Sequence, residues 1–467
     1  MAMATAAGAP ALQGPQNIFP AGSETSSGAP PRQTALLCKK AIPPMPAPAN
    51  APAVPRLTYL RIKNYRALRD VEFRDLTPLS VFIGPNGSGK STVLKALAFL
   101  AEAVSGNLEK AWESEDRFKG MLTRGINDDI VFELEFQELL TKKTIFYSLI
   151  VRELNGKIFV VKEILAERDK LGRLDLTFIY ELINLQTQTS NFKVTSRESV
   201  KKTTTKNPFG VGIGTHISGS SHGKSESQID FLSSIESPLK NQAAAFIAFI
   251  ISYRYVHLTD DHLKGYSDKG PRERLSANGD NLPNVLYYLH LKHPEVLAKI
   301  TAQMRRWVPA LADIVPEITS DERLLLRFKD TPFEKPLPAQ YMSDGTMRLA
   351  ALLTLLYEPD ATGLLGIEEP ENELHPQLLT RLAEELIKAT ETRQLLVATH
   401  SPALLNALEP EQVWILHRGP DGYTQATRTA DIPHVKEMVE DGSPLGYLWT
   451  SNSFIVGNPL AAAPDAR

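Results

Sequence analysis

The chain has 467 residues, 42% of them hydrophobic, enough for two or three cores of ordinary size. Its longest wholly apolar run, Ala243 to Ile251, falls far short of the ~20 residues a membrane-spanning helix needs, so no membrane span is expected and the run reads as a buried helix. A formal charge of -3 sets up no global field for nucleic acid and leaves DNA binding open, while a lone cysteine, Cys38, excludes an internal disulfide and a start without a basic, apolar leader points to the cytoplasm.

Residues 1–55 are dominated by Ala, Pro, Gly and Ser and read as a disordered tail, with folding on a partner as the alternative. Ordered sequence begins at LTYLRIKNYRALRDVEF, where apolar residues alternate around Leu60, Ile62 and Val71, Phe73 as in two strands joined by a turn. LSVFIGPNGSGKSTVLKALAFLAEAV reads as strand, glycine-rich loop, helix. From Asp129 to about Ser196 four β-rich runs, IVFELEF, IFYSLIV, KIFVVKEIL and LTFIYELI, predict an antiparallel meander, so residues 56–200 form a first lobe. Residues 201–228, rich in Gly, Ser, Thr and Lys, read as a flexible surface loop. Residues 229–335 read as a mainly helical insertion, with helices to about 307 and strand returning from Leu324. Residues 336–456 form the second lobe and 457–467 a second disordered tail. No heptad seam is long enough for a coiled-coil arm.

GPNGSGKS, Gly84 to Ser91, fits the phosphate-binding pattern G-x-x-x-x-G-K-[ST] and sits between an apolar strand and a helix, as that motif requires. Gly84, Asn86, Gly87, Ser88, Gly89, Lys90, Ser91 and Thr92 are the expected nucleotide-binding residues. The glycines let backbone N–H groups turn toward phosphate oxygens, Lys90 reaches the β and γ phosphates, and Ser91 offers a hydroxyl to Mg2+. Further along, the apolar strand Leu364 to Ile367 leads into Glu368 and Glu369. A strand ending in two carboxylates can present one to the metal and the other to water, so Glu368 is the expected metal ligand and Glu369 the general base. A second strand, Gln394 to Ala398, runs into Thr399-His400-Ser401, where His400 can hydrogen-bond the γ-phosphate.

With these motifs goes a signature-like YMSDGTMRL, and together LRIKNYRAL, GPNGSGKS, YMSDGTMRL, IEEPENELHP and ATHSP resemble the ABC-type ATPase heads of the RecF, SMC and OLD group. The likeness covers about Leu57 to Leu100 and Gln340 to Phe454. It implies an α/β fold: a P-loop NTPase head of the ABC-ATPase type with an antiparallel β subdomain and a mainly helical insertion. It implies ATP and Mg2+ as cofactors, and contacts in trans from Ser343 and Gly345 to the nucleotide of a second subunit. It places His375 in the loop that crosses the dimer interface. Arg66 matches an arginine near the phosphates, and a plain surface arginine is the competing reading. Asp344 stands where transporter-type members have glycine, and Glu368 where they have aspartate. The glutamine such families set beside the metal has no counterpart that sequence alone identifies. The stretch after His400 is too short for the Toprim nuclease domain of OLD proteins.

The expected function is therefore an ATP-binding and hydrolysing ATPase that dimerises through shared ATP sites, as a homodimer or a higher homo-oligomer of dimers. It acts as a switch or scaffold for a separate effector, a nuclease or toxin, in bacterial anti-phage defence. One alternative is a DNA-repair or chromosome-maintenance ATPase that clamps DNA; the other is an ATP-holding scaffold with little turnover.

Overall fold

The computed structural model describes residues 56–458 apart from 115–119, 139–142, 155, 169–172, 185–188, 197–239, 266 and 269. The expected tail 1–55, the loop 201–228 and all but two residues of the tail 457–467 lie outside the described residues.

An antiparallel sheet of seven strands runs in the order β2-β1-β4-β5-β6-β7-β8. Its strands are β1 (Arg56–Tyr65), β2 (Leu68–Arg74), β4 (Ile130–Gln137), β5 (Thr144–Leu154), β6 (Lys157–Arg168), β7 (Leu174–Asn184) and β8 (Thr189–Ser196). Leu60 pairs with Phe73 and Ile62 with Val71, the two alternating runs of the sequence. In β4, Ile130, Phe132, Leu134 and Phe136 are buried while the residues between them are not, the alternation of a sheet with one face on a core. The meander carries one strand more than the four apolar runs announce. That strand, TSNFKVTS, holds two large apolar residues and gives no alternating signal.

The second sheet has six strands in the order β17-β16-β3-β15-β14-β9. They are β3 (Leu79–Ile83), β9 (Arg254–Val256), β14 (Leu364–Glu368), β15 (Gln394–Thr399), β16 (Val413–Arg418) and β17 (Thr424–Arg428). All neighbours are parallel except β16 and β17. Every residue of β3, β14 and β15 is buried, which is why these strands read as unbroken apolar runs. The pleat divides their side chains between two cores. Phe82, Leu364, Leu396 and Ala398 join a core with the antiparallel sheet and the helices α1 (Lys90–Val104), α2 (Leu108–Glu113) and α3 (Lys240–Ile251). Val81, Ile83, Ile367 and Val397 join another with α5 (Leu282–Lys292), α6 (Pro294–Trp307), α7 (Asp344–Leu356) and α8 (Pro376–Ala389), α4 being the single turn Asp260–Leu263.

Gln394 ties the two sheets together. Its Oε1 accepts from the Leu57 N–H at 2.7 Å, and its Nε2 donates to the Leu57 and Thr77 carbonyls at 2.8 and 3.0 Å. Between 240 and 335 the described residues hold the helices α3, α5 and α6, with two departures from a mainly helical insertion. β9 lies within it and belongs to the parallel sheet, where three residues are too few to show a period. The pair β11 (Leu311–Ile318) and β12 (Arg323–Asp330) follows, joined by β10 (Ser267–Asp268) and β13 (Leu337–Pro338) in a small antiparallel sheet.

Candidate active site

Three adjacent parallel strands end at one edge of the sheet. Register sets Ile83 beside Thr399 and Ala398 beside Glu368, so the loop after β3, the Thr399-His400 pair and the Glu368-Glu369 pair all emerge together. β3 leads into Gly84, and α1 starts at Lys90. Gly87 and Gly89 have φ of 71° and 103°, the left-handed region that favours glycine. Gly84 is needed for space: a Cβ there would stand 1.9 Å from the Leu416 carbonyl oxygen. The hairpin β16–β17 braces the loop from outside, Arg418 Nε donating to the Gly87 carbonyl at 2.9 Å and Thr424 Oγ1 to that of Ser88 at 2.8 Å.

Lys90 is 4% exposed, and its Nζ donates to the carbonyls of Gly84 and Pro85 at 2.8 and 3.0 Å. Burial pulls its pKa from 10.5 down to about 8, against the opposing pull of Glu369, Glu371 and Glu368, so the amine is a cation at neutral pH. Ser88 Oγ is buried with no hydrogen-bond partner among the described residues. Asn86 is exposed at the loop tip, and Ser91 and Thr92 are half-buried in the first turn of α1.

Glu368 ends β14. Burial raises its pKa, but hydrogen bonds from the Ser91 and Tyr255 hydroxyls, with His257 and Lys95 nearby, more than offset that and hold the carboxylate ionised. Glu369 has φ of 45°, uncommon for a residue with a side chain. Both faces of its backbone are pinned: the N–H donates to the Ala398 carbonyl at 2.8 Å, and the carbonyl accepts from Arg348 at 2.7 Å. Its Oε2 accepts from Asn372 Nδ2 at 2.9 Å, and its Oε1 stands 3.5 Å from His400 Nε2. Burial and the Lys90 charge lower the pKa of His400, which leaves the ring neutral at neutral pH. Glu371 accepts from Thr399 Oγ1 at 2.7 Å and from the His400 N–H at 2.6 Å, and burial raises its own pKa.

A second group gathers elsewhere. Ser343 caps α7, its Oγ accepting from the Thr346 N–H at 3.2 Å. His375 caps α8, Nδ1 accepting from the Gln377 N–H at 3.3 Å. Ser343, Gly345 and His375 line one cavity of about 370 Å3 with Asp344 and Glu373. A Cβ on Gly345 would lie 2.4 Å from the Glu373 carbonyl oxygen, so only glycine permits this approach. Among the described residues no hydrogen bond or ion pair joins Ser343, Gly345 or His375 to the loop around Lys90. Arg66 sits in the β1–β2 turn, its N–H donating to the Met121 carbonyl at 2.6 Å and its guanidinium 5.8 Å from the centre of the Tyr65 ring.

Residues that sequence reading does not single out complete the first group. Tyr255 of β9 donates its hydroxyl to Glu368, and His257 Nδ1 stands 3.3 Å from the same carboxylate. Arg348, 1% exposed, divides its guanidinium between the carbonyls of Leu258 and Glu369, both at 2.7 Å. Glu371, Arg418 and Thr424 belong here too. Among the described residues no group of three or more His, Cys, Asp or Glu is placed to hold a metal by itself, and no helix is long and apolar enough to cross a membrane.

The chain is similar to several known proteins. A model of the AAA ATPase domain matches residues 56–269, and one described as "AAA domain, putative AbiEii toxin, Type IV TA system" matches residues 219–406. An OLD nuclease from Thermus scotoductus is 34% identical over 77 residues, 16% of this chain and only 14% of that protein's length. Among solved structures, the SMC head domain from Thermotoga maritima matches at 13% identity and a TM-score of 0.36, over 80% of this chain and 98% of that one. An Smc head with coiled coil and joint from Pyrococcus yayanosii matches at 10% identity and a TM-score of 0.43, over 83% and 100%. With its P-loop, its paired glutamates and two AAA domain matches that together span residues 56–406, the chain carries an AAA-type ATPase domain and resembles the RecF, SMC and OLD-like ATPases.

Proposed function

We propose that this ATPase hydrolyses Mg-ATP at two sites shared across a homodimer and uses the cycle to switch a separate effector. The observation that supports it is the gathering of Lys90, Glu368, Glu369 and His400 at the ends of neighbouring parallel strands. The donor set fits ATP: positive-φ glycines, a buried Ser88 hydroxyl with no partner among the described residues and a protonated Lys90 suit a polyphosphate. Ser91 and Glu368 are the side chains to hold Mg2+, which when bound offsets phosphate charge and polarises the γ-phosphoryl group. Asn86, Gly87, Gly89 and Thr92 complete the wrapping of the phosphates.

Glu369 is the general base. Its Oε1 orients the attacking water and takes a proton as the new phosphorus–oxygen bond forms and the bond to ADP breaks. Neutral His400 donates through Nε2 to the γ-phosphate, and the Glu371 contact on its backbone holds it there. Glu369 is preset by its left-handed backbone, pinned by Ala398 and Arg348, a geometry that pays for catalytic aim with local strain.

Ser343 and Gly345 act on the nucleotide of the partner subunit, and His375 lies along the same contact. Their shared cavity at the start of a 13-residue helix supports this, because such a helix end attracts anions. Arg66 joins the phosphates from the β1–β2 turn. The toxin–antitoxin description of one matching model and the OLD likeness favour a nuclease or toxin as effector, in anti-phage defence. Mixing Lys90→Ala subunits with Ser343→Arg subunits tests the shared site. Each homodimer is inactive, and a heterodimer keeps one intact site, so phosphate release recovers in the mixture. Verified heterodimers without recovery would exclude a shared site, and salt-sensitive DNA binding stimulated by ATP would favour a DNA clamp instead.

A further inference from the structure

β9 is three residues long and pairs in parallel with β14, Val256 opposite Ile367. The next residue on each strand, His257 and Glu368, therefore leaves the same edge of the sheet side by side. His257 Nδ1 stands 3.3 Å from Glu368 Oε2, and the imidazole is 38% exposed while the carboxylate is 7% exposed. The His257 N–H donates to the Ala277 carbonyl at 2.8 Å, which fixes where the ring starts. The Ser91 and Tyr255 hydroxyls donate to Glu368, so two hydroxyls and one imidazole meet at one point, the Glu368 carboxylate.

Adjacent ligands of a six-coordinate cation with ~2.1 Å bonds lie roughly 3 Å apart, close to the separation of Nδ1 and Oε2. In the neutral tautomer protonated at Nε2, Nδ1 carries a lone pair that a cation shared with Oε2 can accept. We propose that His257 binds, through Nδ1, the divalent cation that accompanies ATP, and so makes this site prefer a first-row transition metal to Mg2+. The inference rests on the nucleotide-site reading above. Carboxylate, hydroxyl and water are ligands for Mg2+, whereas an imidazole adds affinity for metals that accept nitrogen. Because no set of three or more ligating side chains stands ready among the described residues, the cation is completed by phosphate oxygens and arrives with the nucleotide.

Mn2+ bound with a non-hydrolysable ATP analogue makes the ligand visible. Pulsed electron paramagnetic resonance of the full chain should show a directly coordinated histidine nitrogen, identified by its isotope change when the protein is labelled with 15N-histidine. The coupling should vanish in His257→Gln and remain in His400→Gln. By equilibrium binding the analogue should be held about tenfold more tightly with Mn2+ than with Mg2+, and His257→Gln should bring the two within about threefold, the scale on which metal-shell positions act. A parent protein that binds the Mn2+ complex in a Lys90-dependent way but shows no histidine nitrogen would overturn the proposal and leave the ATP site standing. Binding indifferent to Lys90→Ala would instead remove the ATP-site reading, and His257 with it.

Discussion

The antiparallel and parallel sheets are built from similar apolar side chains, yet the site residues gather on the parallel one. In the meander, neighbouring strands point in opposite directions, so each edge mixes strand starts with strand ends. Its polar positions form ion pairs across strands, Arg61 with Glu133 at 3.6 Å and Arg168 with Glu135 at 2.6 Å. In the second sheet the carboxyl-terminal ends of the five parallel strands β16, β3, β15, β14 and β9 share one edge, and backbone N–H groups, a helix start, two glutamates and two histidines converge there. Strand direction, not composition, separates a scaffold from a site.

Glu369→Gln breaks the comparison hardest. Size and hydrogen bonding survive while the proton acceptor is lost, so phosphate release falls ~10²–10⁴-fold. Light scattering should show the Mg-ATP dimer persisting, and a parental rate would take Glu369 out of the mechanism. Gln394→Ala attacks the joint between the sheets. It strands one buried N–H and two carbonyls, and urea unfolding should report a loss of about 2–4 kcal/mol. The exposed Gln137 on the meander is the control, and its alanine variant should stay within ~0.5 kcal/mol.

Lys90 gives a smaller, pH-dependent effect. Its pKa is lowered in the folded protein, so between about 8 and 10.5 the unfolded chain holds the proton that the folded chain has released. This group's contribution to stability therefore rises with pH across that window. Its penalty is fully present below pH 8. Melting temperatures compared between the parent and Lys90→Met should reveal a rise that only the parent has, and that ATP, by favouring the charged amine, suppresses. The smallest effect belongs to the meander surface. Arg152→Ala removes the pair with Asp129 and should cost under ~1 kcal/mol with turnover unchanged.

Much of the parallel sheet is legible in the sequence because its signals are local. GPNGSGKS, the strand before it and the helix after it lie within one short stretch, and Leu364 to Glu369 encodes its own strand and its own carboxylates. The alternation of Leu60, Ile62, Val71 and Phe73 likewise predicts the β1–β2 pair that forms. The rest of the site depends on contacts between distant positions. Tyr255 and His257 reach Glu368 from a strand too short to have a period, inside a stretch whose other signals are helical. Thr424 and Arg418 meet the loop around Gly87 and Ser88 across more than 300 residues of chain. Gln394 looks like the polar start of an apolar strand and turns out to be a buried crosspiece. β8 has the geometry of a strand without the residues that advertise one.

Arg348 has a mechanical consequence. One nearly buried guanidinium grips the carbonyl after β9 and the carbonyl of Glu369, while its own backbone belongs to the helix that Ser343 caps. Three parts of the protein thus share one pivot. A twist of that helix, however small, pulls on the peptide that aims the glutamate, and a shift of the glutamate pulls back on the helix. In kinematic terms the cavity beside Ser343 and the Glu369 carboxylate are one linkage with few independent degrees of freedom, so a displacement at either can reach the other without a wave of unfolding.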